Sequence, residues 1–74
     1  MDFPVIDPVA TGLNIDTLRK NKGFTVADLK DYFGFSTTNA IYKWLHGYTL
    51  PSIDNFVALS VLFGISINDM ISYK

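Results

Sequence analysis

The chain has 74 residues, no cysteine and one histidine, and its six Lys and Arg against seven Asp and Glu leave a net charge of −1. That length holds one small domain able to bury roughly 60% of its unfolded surface, and the composition excludes a disulfide framework, a thiolate metal site and a histidine-rich one. No apolar run is long enough to span a bilayer, and the opening MDFPVIDPVATG lacks the basic start of a signal peptide, so the expectation is a cytoplasmic protein with no membrane contact, cofactor, metal or small-molecule ligand.

Residues 1–10 hold Pro4 and Pro8 around Val5 and Ile6, which predicts an extended N-terminal arm. Residues 11–74 read as helices. Thr11 is placed to cap the first, with Ile15 and Leu18 inward, Asp16, Arg19, Lys20 and Lys22 outward, and Gly23 at its end. Thr25, with Asp28 three residues on, starts a second helix whose apolar positions are Val26, Leu29, Tyr32 and Phe33, and Gly34 stops it. The stretch GFSTTNAIYKWLHG, from Gly34 to Gly47, reads as a turn and one short helix over about residues 37–46. Its start lies among Ser36, Thr37 and Thr38, whose hydroxyls suit a helix cap. Ile41, Trp44 and Leu45 share one side of this helix, while Thr38, Asn39, Tyr42, Lys43 and His46 fall mostly on the other. Trp44 is therefore read as packing, and the opposite face carries amide, hydroxyl and cationic groups suited to base edges and phosphates.

Ser52 caps a fourth helix with Ile53, Phe56, Leu59, Leu62 and Phe63 facing inward and Gly64 ending it. Ser66 caps a last short one, in which Ile67, Met70 and Ile71 close the core. Five short helices with polar caps and glycine stops predict an all-α bundle. The scattered aspartates are explained by caps and helix dipoles, and no pair of carboxylates sits beside a nucleophile, so the reading is not an enzyme.

The segments LRKNKGFTVADLKDYFGFS, AIYKWLHG and LPSIDNFVALSVLFGISINDMI resemble the phage repressor and Cro type of helix-turn-helix regulator, the Xre family of bacteria and phage. The resemblance covers nearly everything after residue 11 and joins a Lys-Gly turn, a capped second helix, Ile-x-x-Trp-x-x-Gly and Pro-Ser before an apolar helix. It implies a lambda-repressor-like bundle that binds double-stranded DNA as a transcriptional regulator, most often a repressor. The second helix would brace the backbone and the third enter the major groove, once from each half of a homodimer. Carried over residue by residue, the base-reading positions match Thr38, Asn39 and Lys43, with Tyr42 beside them. The backbone set comprises Thr25, Thr37, His46, Arg19 and Lys22, together with the loop at Tyr48 and Thr49, where hydroxyls and backbone N–H groups suit phosphates.

The chain also departs from the family. The stretch from Gly34 to Gly47 is one residue longer than the usual spacing, and the extra residue falls among Ser36, Thr37 and Thr38. Leu45 replaces an acid that often pairs with Arg19, leaving Arg19 to another acid, a carbonyl or a DNA phosphate. Val26 replaces a polar phosphate contact. The acidic balance weakens phosphate binding, although exposed charges fade beyond about 10 Å at 0.1 M salt, and a dimer doubles the contacts. Val57, Ala58 and Val61, with Ile65 and Tyr73, predict an apolar dimer patch; the arm, through Phe3, Val5 and Ile6, is a second candidate by strand pairing. Two readings stay open: a sequence-specific DNA-binding regulator, or a protein-interaction module, antitoxin-like or an anti-regulator, that keeps the fold without DNA.

Overall fold

Asp7 and Pro8 start the first helix earlier than expected. In the computed structural model, which describes residues 3–74, α1 runs Pro8–Asn21 with the Asp7 carboxylate accepting from the Ala10 N–H at 3.1 Å. Proline is tolerated there because the first helical N–H has no partner within the helix in any case. The extended arm therefore ends at Asp7, not at residue 10, and its first two residues, Met1 and Asp2, lie outside the described residues.

Thr11 is accordingly not a cap but a fully buried residue inside α1. Its hydroxyl donates to the Ser72 carbonyl at 3.2 Å and accepts the Ser72 N–H at 3.0 Å. The arm meets the same C-terminal segment. Ile6 and Tyr73 form an antiparallel bridge, flanked by Asp7 N–H to Ser72 O at 2.8 Å and Lys74 N–H to Val5 O at 2.8 Å. That pattern turns the N–H and C=O of Ile6 away from Tyr73. On the arm's outer edge the neighbouring position of the same parity is Pro4, which carries no N–H, and Pro8 already begins α1, so the edge is short and poorly equipped for strand addition. Thr11→Val, which keeps the shape and removes the hydroxyl, leaves the Ser72 N–H unpaired and is expected to lower stability by about 1–3 kcal/mol in urea titration.

The next two elements follow the local signals. α2, Val26–Phe33, opens on a reciprocal cap: the Thr25 hydroxyl accepts the Asp28 N–H at 3.0 Å and the Asp28 carboxylate accepts the Thr25 N–H at 2.8 Å. Gly34 ends it. Phe35 then turns back inward, stacking on Phe33 at 5.3 Å, and both rings meet the edge of Trp44, at 5.9 and 5.4 Å. Ser36, Thr37 and Thr38 form bends, and α3 covers Asn39–Leu45, shorter than the 37–46 expected. The hydroxyl cap belongs to Thr37, which accepts the Asn39 N–H at 3.3 Å, while the Thr38 side chain makes no cap bond.

α4 spans Ile53–Phe63, capped by the Ser52 hydroxyl on the Asn55 N–H at 3.2 Å, and α5 spans Ile67–Met70. Ser66 precedes α5 without the expected side-chain cap bond; instead the Ser60 hydroxyl holds the Ile65 carbonyl in the turn before it. The core comprises Ile15, Leu29, Ile41, Trp44, Phe56, Leu59, Phe63 and Met70, so every helix contributes at least one side chain. Leu18, Leu62, Ile67 and Ile71 pack against it half-buried. Ile53, expected inward, is 76% exposed.

Two glycines fix α3 against α1. Gly12 lies in α1 where a Cβ would collide with the Trp44 carbonyl oxygen and sit 2.8 Å from that of Leu45. Gly47, just past α3, has φ of 76° and would place a Cβ 2.6 Å from the Val9 Cα. The C-terminal end of α3 therefore rests on α1 with no side chain between the backbones.

Candidate nucleic-acid interface

With Ile41 and Trp44 buried, the helix period turns Asn39, Tyr42, Lys43 and His46 outward, and all four are exposed. Among the described residues, none of their side chains makes a hydrogen bond or ion pair within the chain. Thr38 is half-buried and Thr37 exposed. Among the described residues the arm leaves this face exposed, its hydrogen bonds going to residues 72 and 74.

The three aromatic rings of this region are aligned. Tyr42 and His46, four residues apart, stack with centroids 6.2 Å apart and planes 26° apart; His46 and Tyr48 continue the row at 5.9 Å and 29°. Tyr48 is 79% exposed, held in place by the turn that Gly47 makes. The N–H groups of Tyr48 and Thr49 both donate to the Lys43 carbonyl, at 2.9 and 3.4 Å. The expectation that these two N–H groups serve phosphates therefore fails, and the exposed hydroxyls of both residues are what the loop offers.

The flanking basic residues divide. Arg19 is not presented to solvent: its side chain is 13% exposed, Nε and Nη2 donate to the Asp16 carboxylate at 3.0 and 2.7 Å, and Nη1 donates to the Phe24 carbonyl at 2.7 Å. It takes two of its three expected partners, an acid and a carbonyl, and so drops out of the backbone set. Partial burial pushes the Asp16 carboxyl up, but hydrogen bonds from Arg19 and Lys20 outweigh this and hold it below its ordinary value. Lys22 is exposed. Thr25 is exposed too, yet its N–H is already held by Asp28, whose carboxylate occupies the start of α2 where a phosphate would otherwise be favoured. Val26 packs half-buried against the core.

A family model described as helix-turn-helix matches residues 15–70. The chain belongs to the helix-turn-helix family. Three solved structures share its fold. The restriction-modification controller protein C.AhdI from Aeromonas hydrophila is 22% identical, with a TM-score of 0.75 over 86% of this chain and 96% of that one. The DNA-binding domain of BldD is 9% identical, with a TM-score of 0.74 over 89% and 94%. The S. venezulae BldD DNA-binding domain gives 9% and 0.74 over 89% and 97%. No curated protein matches the sequence significantly. The family and the fold are those of DNA-binding transcriptional regulators of the Cro and repressor type.

In this helix-turn-helix chain α2 and α3 are the motif's pair, joined through residues 34–38, and α4 lies beyond the loop with an apolar side of its own. Val57 and Val61 are 48% and 72% exposed, and with Ile53 they form a row of three β-branched residues spaced one turn apart. Of the other residues named with them, Ala58 and Ile65 are half-buried, the Ala58 carbonyl accepts the Tyr32 hydroxyl at 3.2 Å, and Tyr73 is exposed on the terminal bridge. Ile53 was missed because its four-residue spacing to Val57 and Val61 was subordinated to the inward pattern of Phe56, Leu59 and Phe63. The ring row was missed although the Tyr42–His46 spacing announces it, since the third ring comes from beyond the helix. Among the described residues no cluster of His, Asp or Glu has the geometry to hold a metal ion, and no helix is long and apolar enough to cross a membrane.

Proposed function

We propose that this regulator works in the cytoplasm as a homodimer that binds a near-palindromic duplex operator, each subunit laying α3 in the major groove, with repression as its usual outcome. The observation that carries this reading is the outward face of α3: an amide, a phenol, an ammonium and an imidazole, all exposed and, among the described residues, none hydrogen-bonded or ion-paired by its side chain within the chain. Asn39 can pair two hydrogen bonds with an adenine edge and Lys43 can donate to guanine O6 or N7. The Thr37, Tyr48 and Thr49 hydroxyls, with Lys22 and His46, face the backbone, and Thr25 adds a hydroxyl proton.

Two subunits that each place Lys22 on the backbone neutralise about two phosphates, which contributes about −1.8 to the slope of log K against log salt. The test is selection from random duplexes followed by salt-dependent titration of the enriched site. Lys43→Ala is expected to cost about 1–3 kcal/mol on that site and to relax its specificity, whereas Lys22→Ala weakens all sequences alike and lowers the slope by about 1 per subunit. If selection enriches nothing and basic substitutions leave captured protein partners intact, the fold serves protein contacts and the DNA reading is wrong.

A further inference from the structure

The row formed by Tyr42, His46 and Tyr48 is more than surface decoration on a recognition helix. Three rings, each within about 30° of parallel to the next, at 6.2 and 5.9 Å, form a ridge from the middle of α3 to the loop beyond it. Such contacts restrict ring rotamers before any partner arrives, which is the preorganisation that lowers the ordering cost of binding. Tyr42 is the member next to Asn39 and Lys43, and it is 47% exposed. Its neighbours supply the donors for polar base edges. What the tyrosine adds is a fixed apolar edge, and the apolar feature of the major groove is the C5-methyl group of a pyrimidine. Thr38, the residue whose methyl would otherwise serve that purpose, is half-buried at the start of α3.

We infer that Tyr42 reads a pyrimidine C5-methyl group in the major groove, and that His46 and Tyr48 act as positioning residues that hold its ring. The inference rests on α3 entering that groove. Two bases carry the methyl, thymine and 5-methylcytosine, and the test separates them. On the selected operator each thymine is replaced in turn by deoxyuridine, which removes only the methyl, and each cytosine by 5-methylcytosine. At one position per half-site deoxyuridine is expected to weaken the wild-type protein about fourfold, the worth of burying one methyl group. If the site reads 5-methylcytosine instead, methylation at one cytosine strengthens binding by about the same factor.

Tyr42→Ala is expected to erase the methyl discrimination. His46→Ala and Tyr48→Ala, which also lose their backbone contacts, are expected to bind the operator more weakly and to narrow the discrimination toward unity, which loss of a backbone contact alone would leave unchanged. Operator binding with no methyl-sensitive position, or full discrimination retained by Tyr42→Ala, overturns this inference alone. Failure to enrich any operator overturns the DNA reading with it.

Discussion

Gly12→Ala is expected to destabilise the protein by about 3 kcal/mol, at the upper end of the usual cost of overpacking. Helix propensity points the other way, since alanine is favoured over glycine inside a helix by about 1 kcal/mol. The sign reverses because the added methyl meets backbone. The Trp44 carbonyl lies in its path and the Leu45 carbonyl is 2.8 Å away, and neither can rotate aside as a side chain would. Either α3 moves or α1 does. For a chain of 74 residues, whose stability by size is roughly 4–11 kcal/mol, that is a large share, and a melting shift of roughly 12–24 °C follows. Gly23→Ala is the comparison, because nothing lies within 4 Å of a Cβ there and only its φ of 79° opposes the change. A rise in melting temperature for Gly12→Ala, as propensity alone demands, would show that α1 and α3 do not approach so closely. The functional consequence is geometric. α3 is held from behind at Gly12 and Gly47, so a variant that remains folded presents Asn39 and Lys43 at an altered angle, and its operator affinity is expected to fall even below its melting temperature.

How much of this was readable in the sequence depends on how local each cause is. The reciprocal cap of Thr25 and Asp28, the hydroxyl cap of Ser52 and the glycines after α2, α3 and α4 are determined within four residues, and the structure has them where they were expected. The division of α3 into a buried side and a polar side follows from the helix period alone. The start of α1 was also local, but Pro8 was read as a breaker when Asp-Pro is equally a cap followed by a first helical residue. Other features join distant residues. Nothing around Gly12 shows that α3 will lie on it, nothing around Thr11 names Ser72, and the Arg19 guanidinium could be assigned only once the Phe24 carbonyl was in place. For Ile53 the surrounding apolar residues misled, because α4 has two apolar sides and only one of them faces this chain's own core.

That second side of α4 carries the other large expected effect. Val61→Asp is expected to convert a dimer into a monomer and to lower operator affinity by about 10²–10⁴, the factor by which tethering makes a second half-site effectively local. Val61 is 72% exposed, so the aspartate has solvent in the monomer and stability is expected to change by no more than about 0.5 kcal/mol. In a dimer packed through Ile53, Val57 and Val61 the same carboxylate faces its symmetry mate and must be desolvated without a partner. The arm is the weaker rival. Its inner edge already pairs with residues 72 and 74, and its outer edge is cut short by α1 at Pro8 and has a proline, Pro4, at a position that would donate to a third strand. Ile6→Lys is accordingly expected to leave assembly unchanged. Sedimentation at tens of micromolar, read beside operator titration, separates the cases: a wild-type monomer whose operator affinity is untouched by Val61→Asp would remove α4 as the contact. Loss of dimer and loss of affinity together, with melting unchanged, would mean that a subunit with so few free cations holds its operator by binding both half-sites at once.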